Sequence, residues 1–81
     1  MNRTFALVNL FVETSEIDNV VNALSMIDNF EELYEVAGEH DIVTLVSASS
    51  VEEFHSVLRN YILKIKGVKS ALSSILVRRN S

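Results

Sequence analysis

Apolar and polar positions divide the chain into segments with two different periods. Thr4–Val12 and Ile42–Ala48 are dense in β-branched and aromatic residues and too short for helices of that polarity, so they predict strands. Phe30–Ala37 alternates less clearly and carries three glutamates, which indicates a strand at an exposed sheet edge. Val68–Val77, interrupted by serines, predicts a fourth strand.

Between the first and second strands, the apolar spacing changes to that of an amphipathic helix. Ser15 stands where a helix N-cap is expected, with Asp18 three residues later in a weak capping-box arrangement. Asp28-Asn29 is expected to end the helix. The apolar stripe consists of Ile17, Val20, Val21, Leu24 and Ile27.

A second helix is predicted between the third and fourth strands. Ser50 and Glu53 have the spacing of a capping box, in which the serine accepts a backbone N–H and the glutamate reaches back. Gly67 is placed for the left-handed residue that stops a helix. The stripe runs through Val51, Phe54, Leu58, Tyr61, Ile62 and Ile65.

The element order is therefore β-α-β-β-α-β. The short connection between the second and third strands requires an antiparallel hairpin. Right-handed crossovers place both helices on one face of a four-stranded antiparallel sheet, with the first and third strands at its centre. We predict an α+β protein with the ferredoxin-like sandwich fold, and a single domain over residues 1–81.

Composition adds an expectation about assembly. A domain of 81 residues buries a modest share of its surface, yet 48% of the residues are apolar and no cysteine is present to stabilise it. One sheet face lacks helices and, in the first strand alone, carries either Phe5, Leu7 and Phe11 or Ala6, Val8 and Leu10. We expect two copies to pack sheet on sheet as a homodimer. The alternative is that another protein covers this face.

Charge excludes several classes of partner. The net charge is −4, and the seven lysines and arginines are dispersed apart from Arg78-Arg79, so no basic stripe for direct nucleic-acid binding is visible. The N-terminal segment lacks the pattern of a signal peptide, and no apolar run reaches the roughly 18 residues of a membrane span. We expect a cytoplasmic protein that does not contact a membrane.

Candidate chemistry is concentrated in the hairpin Gly38-Glu39-His40-Asp41. Neighbouring residues in an extended chain point in alternating directions, so Glu39, His40 and Asp41 are not expected to converge on a metal ion. No catalytic constellation or cofactor motif is visible, and no cofactor is expected. Asp41 begins a strongly apolar strand, where it is either a turn residue that accepts backbone N–H groups or a carboxylate for the ammonium group of a ligand.

Two short motifs carry a resemblance to a known family. They are the hairpin Val36-x-Gly38-x-x-Asp41-Ile42-Val43 and the turn Ile65-x-Gly67-Val68 before the serine-rich last strand. With the capped helix between them, they resemble the effector-binding domain, or RAM domain, of the Lrp/AsnC feast/famine transcription regulators. The resemblance covers essentially the whole chain. It implies dimers by sheet packing, further assembly into rings that are often octamers, and a small effector between neighbouring dimers near the hairpin.

The resemblance also implies a set of site residues. The family's hairpin glycine and aspartate fall on Gly38 and Asp41, and His40 takes the place of an aromatic residue that usually precedes the aspartate. A Thr-x-Thr pair of the last strand reads Ala71-Leu72-Ser73 here, so one hydroxyl remains. The predicted ligand-binding residues are Gly38, Glu39, His40, Asp41 and Ser73.

An amino acid is the effector that this resemblance favours. Asp41 offers an acceptor for its ammonium group, while backbone N–H groups around Gly38 and the Ser73 hydroxyl offer donors for its carboxylate. The family's regulators carry a winged helix-turn-helix before this domain, and none precedes the first strand here. We therefore expect a stand-alone form that acts through self-assembly or through full-length regulators.

Two other functional classes remain open on the residues alone. One is a small enzyme of the dimeric α/β-barrel kind, which needs a polar cavity between sheet and helices. The inward-facing polar candidates for such a cavity are Asn9 and Thr44. The other is a purely structural oligomerisation domain without a ligand.

Overall fold

The computed structural model describes residues 3–36 and 41–79, with only the backbone described at Asp41. The predicted order β-α-β-β-α-β is confirmed. The strands are β1 (Thr4–Val12), β2 (Phe30–Val36), β3 (Asp41–Ala48) and β4 (Val68–Leu76). The helices are α1 (Ile17–Ser25) and α2 (Val51–Asn60), and short 3₁₀ turns occupy Thr14–Glu16 and Ile62–Lys64.

The four strands form one sheet in the order β2-β3-β1-β4, and every neighbouring pair is antiparallel. The prediction that β1 and β3 lie at the centre is confirmed, as is the ferredoxin-like fold class. Neither α1 nor α2 is long and apolar enough to cross a bilayer, and the same holds for the two 3₁₀ turns.

The two helices cover the sheet face that carries the even-numbered residues of β1. Ala6, Val8, Leu10 and Val12 on this face are at most 3% exposed, and they pack with buried side chains of β3 and both helices. The core residues from β1 and the helices are Ala6, Val8, Leu10, Val12, Val20, Leu24, Phe54 and Val57. The two possibilities left open by the sequence are thereby resolved: the odd-numbered residues of β1 belong to the uncovered face.

The start of α1 differs from the prediction. Ser15 lies within the 3₁₀ turn, and no side chain caps either that turn or the helix, so the prediction of a Ser15 cap is wrong. Contacts with a distant loop hold this corner instead: the Glu13 N–H donates to the Gly67 carbonyl at 2.8 Å. The Asn19 amide donates to the Lys66 carbonyl at 2.9 Å. The helix also ends at Ser25, earlier than predicted.

The capping box at the start of α2 is confirmed in its first half. The Ser50 hydroxyl accepts the Glu53 N–H at 3.0 Å. The Glu53 carboxylate, however, accepts the N–H of Ser49 at 2.8 Å rather than that of Ser50. α2 ends at Asn60, short of the predicted stripe, because Tyr61 leaves the helical conformation with φ −124°.

Replacing Ser50 with alanine is expected to lower the free energy of unfolding by about 1 kcal/mol, because the Glu53 N–H loses its acceptor. Urea denaturation followed by circular dichroism measures the change. Ser49→Ala is the matched control, since it keeps the backbone N–H that Glu53 uses, and it should shift the midpoint much less. Equal effects of the two substitutions would contradict this account of the cap.

Candidate functional site

The predicted effector site lies at the end of the sheet where the β2–β3 hairpin turns. Gly38, Glu39 and His40 lie outside the described residues. Asp41 is the first residue of β3, and its backbone stands opposite Val36 of β2 and Phe11 of β1. This places the backbone of Asp41 near one end of the two central strands.

Ser73 lies elsewhere in the sheet. It is an exposed residue of β4 and stands opposite Val8, a buried residue of the helix-covered face. Directly opposed residues of antiparallel strands point to the same face, so Ser73 belongs to the helix side of the sheet. Strand spacing and rise give a separation of about 14 Å between the Cα atoms of Ser73 and Asp41. The fold therefore does not make them neighbours within one chain.

The sheet face without helices, called the open face from here on, is largely apolar. Leu7 on the central strand β1 and Leu72 on the neighbouring edge strand β4 are 41% and 65% exposed. A contiguous exposed apolar surface is typical of a site of protein contact. Its large side chains are Phe5, Leu7, Phe11, Tyr34, Val43, Leu45, Leu72 and Leu76.

Asn9 is a polar residue inside the open face. It stands between Val43 and Leu72 in register, and its side-chain oxygen is buried without a hydrogen-bond partner in the described part of the chain. The expectation that Asn9 points into a cavity beneath the helices is wrong, because odd-numbered residues of β1 face the opposite way. Thr44 does lie beneath the helices, but its hydroxyl donates to the Glu32 carbonyl at 2.7 Å.

A polar cluster at the other end of the open face was not anticipated from the sequence. The Ser47 hydroxyl accepts from Nε and Nη2 of Arg3, at 3.2 and 3.1 Å, and donates to the Glu31 carboxylate at 2.6 Å. Ser47 is only 2% exposed. These three side chains hydrogen-bond to one another at the border of the apolar area. The residues are distant in sequence, and the one local signal was a serine inside an apolar strand.

Tyr34 and Glu32 form a second polar pair on the outer strand of the open face. The Tyr34 hydroxyl donates to the Glu32 carboxylate. This hydrogen bond and the negative charge of Glu32 raise the pKa of the Tyr34 phenol. Both effects favour the protonated, donating form of the phenol.

A shallow cleft lies on the helix side, at the end of α1. Its volume is about 300 Å³, and its lining consists of Ala23, Met26, Ile27, Asp28, Asn29 and Tyr61. None of the predicted site residues lines it. Among the described side chains, no three histidines, aspartates or glutamates come together as metal ligands.

Two curated relatives have different overall activities. A homocitrate synthase from Sulfurisphaera tokodaii is 31% identical over 75 residues, which cover 91% of this chain and 16% of the enzyme. The HTH-type transcriptional regulator Ptr1 of Methanocaldococcus jannaschii is 25% identical over 73 residues, which cover 90% of this chain and 49% of the regulator. The chain thus spans less than half the length of either protein.

Solved structures reproduce the whole fold. A protein from Thermus thermophilus aligns with TM-score 0.86 and 26% identity over 96% of this chain and 98% of its own. The Neisseria meningitidis transcriptional regulator NMB0573, solved in complex with L-Met, aligns with TM-score 0.85 and 14% identity over 96% of this chain and 52% of its own. The family profile described as Lrp/AsnC ligand binding domain matches residues 5–80. The chain therefore belongs to the Lrp/AsnC ligand-binding-domain family.

Proposed function

We propose that this chain is an effector-sensing module that binds a small molecule, in the first instance an amino acid, and that works as a self-associating unit. The observation that carries the proposal is the match to the ligand-binding-domain family over residues 5–80. The L-Met complex of a regulator with the same fold supports the choice of ligand class. The effector acts on transcription or on metabolism through the proteins that contain or contact this module.

Asp41 is the residue through which we expect the ligand to be held. A zwitterion needs a negative acceptor for its ammonium group, and Asp41 is the first residue of the central strand β3. Gly38, Glu39 and His40 complete the hairpin side of the proposed site. Ser73 is remote from Asp41 in one chain, so its hydroxyl would reach the ligand from a second chain, in keeping with a site between neighbouring dimers.

The apolar open face supports the proposed self-association. Covering its apolar side chains removes them from water, which contributes about 25 cal/mol per Å² of apolar surface. The two edges of the sheet also differ in charge: β2 carries three glutamates, whereas β4 and the residues after it carry Lys69, Arg78 and Arg79. A two-fold axis along the strands brings the acidic edge of one copy towards the basic edge of the other. Rings of such dimers are the assembly that we expect.

A second candidate function follows from the homocitrate synthase relative. Its matched region is 16% of an enzyme, so a domain of this family also occurs within a metabolic enzyme. Under this second proposal, the chain lets a small molecule control the activity of such an enzyme. Both candidates assign this chain sensing rather than catalysis, and they differ in the protein that responds. Co-purification with a full-length regulator favours the first candidate, and co-purification with an enzyme favours the second.

Replacing Asp41 with alanine is expected to abolish stabilisation by the effector. An effector at a hundred times its Kd adds about 2.7 kcal/mol to the unfolding free energy, or roughly 10–20 °C in Tm for a domain of this size. A thermal-shift screen of the twenty amino acids identifies the ligand, and D41A should lose that shift while keeping its own unfolding transition.

Asp28→Ala is the matched control, because it removes the same charge from a turn at the opposite end of the sheet. A ligand-induced shift that survives in D41A contradicts the role of Asp41. If none of the twenty amino acids stabilises the wild-type protein, amino-acid sensing is wrong and a purely structural role is favoured.

A further inference from the structure

Asn9 has an unusual place in the open face. It lies near the middle of β1, a central strand, with Leu7 and Phe11 before and after it on the same face. Its neighbours in register, Val43 and Leu72, are also apolar. Its side-chain oxygen is buried and has no hydrogen-bond partner among the described residues.

An asparagine at this position destabilises the protein unless another molecule supplies the missing hydrogen bonds. A buried amide oxygen without a donor loses its hydration and receives nothing in exchange. A wholly apolar partner placed on the open face would also strip water from the amide nitrogen. The Asn9 oxygen is covered by its own chain, so a partner reaches it only after the amide turns about χ2. A partner that carries its own amide at the same place then solves both problems, because each turned amide donates to the oxygen of the other.

We propose that Asn9 fixes the register and orientation in which two copies of this chain pair through the open face. The inference rests on the homodimer of the proposed function and adds the residue that selects one arrangement among many. A two-fold axis passing close to Asn9 brings the two Asn9 amides together. Two apolar faces can shift past one another at little cost in free energy, whereas a single buried polar pair keeps its hydrogen bonds in one register only. Fixing the register is the best-attested role of buried polar pairs in paired helices.

Other donors on the open face are less suitable. The Tyr34 hydroxyl is already directed to Glu32, and the Arg3 guanidinium is directed to Ser47 at the rim. Ser70 and Ser74 lie on the edge strand β4, beyond the row of β1. The best donor for the Asn9 oxygen is therefore the Asn9 amide of a second copy, which two-fold symmetry places at the same position.

The absence of cysteine in the chain allows a clean test. Single cysteines are introduced at Leu7, Leu45 and Leu72 on the open face, so each disulfide formed joins two copies. With Asn9 present, one position should cross-link in high yield and the other two weakly. In the Asn9→Leu background, the yields should become comparable, with a Kd for pairing within tenfold of the wild type or tighter.

Controls separate the role of Asn9 from a general change of the surface. Ser74→Leu adds an apolar side chain to the same face and should leave the cross-link pattern unchanged. Asn9→Val, whose β-branched side chain suits a strand, repeats the test should Asn9→Leu fail to fold by circular dichroism. A paired Asn9→Leu or Asn9→Val protein that keeps a single cross-link position overturns the role of Asn9 alone. A wild-type chain that sediments as a monomer overturns the homodimer and this inference together.

Discussion

Replacing Leu7 with glutamate is expected to turn a paired protein into a monomer without unfolding it. Leu7 points away from the helices and is 41% exposed in the single chain, so a charged side chain there meets water. In the pair, two carboxylates would be buried among leucines and phenylalanines. Burying the two carboxylates costs several kcal/mol. Because 1.4 kcal/mol corresponds to a tenfold change in affinity, the Kd for pairing should rise by about 1000-fold or more.

Sedimentation equilibrium across micromolar concentrations measures this change. Asn22→Glu, on an exposed position of α1, is the matched control because it introduces the same charge away from the open face. Circular dichroism and the thermal transition should be nearly unchanged in both variants. A Leu7→Glu protein that remains dimeric would show that the two copies meet through another surface, and the open face would then need a different partner.

Replacing Gly67 with alanine is expected to lower the free energy of unfolding by about 3 kcal/mol, a large share of the stability of so small a domain. Gly67 has φ +105°, a backbone conformation that side chains strongly disfavour. A Cβ atom at this position would also stand 2.2 Å from Cβ of Glu16 and 3.3 Å from Cγ2 of Val20. Neither atom is the free end of a flexible chain, so the backbone itself must move.

Urea denaturation of the variant measures the loss, with Lys66→Ala as a control at the exposed neighbouring position. The steric part can be isolated with Glu16→Gly, which removes the overlapping Cβ atom. Gly67→Ala should cost less in that background than in the wild type, because only the strain of φ and the milder contact with Val20 remain. Equal costs in both backgrounds would show that the close approach to Glu16 contributes nothing.

Element order was predictable because the first and third strands are short and densely apolar, whereas the apolar residues of the two helices recur at helical spacing. The predicted Thr4–Val12 strand matches β1 to the residue. Helix ends were harder. Ser15 has the right residue type for a cap, yet the chain there is tied to Gly67 and Lys66, more than 45 residues away, and no local pattern reports such contacts.

The face of β1 that lies open could not be chosen from the sequence, since both sets of alternating residues are apolar. Asn9 was consequently assigned to the wrong side. The cluster of Arg3, Ser47 and Glu31 was missed for a related reason, because its first two members are 44 positions apart. The hairpin site at Gly38 to Asp41 remains a prediction, whereas the wide separation of Asp41 from Ser73 emerged only from the strand register.

The three glutamates of β2 affect whether copies of this chain can add to one another, strand by strand, at the edge of the sheet. An edge strand offers free N–H and C=O groups to any extended chain, and addition along such an edge has no natural end. The chain has no proline to block that edge. Repulsion between carboxylates, together with the irregular pairing near Glu32, discourages endless fibre growth at β2. Contact through the sheet face, by comparison, is complete once two copies have met.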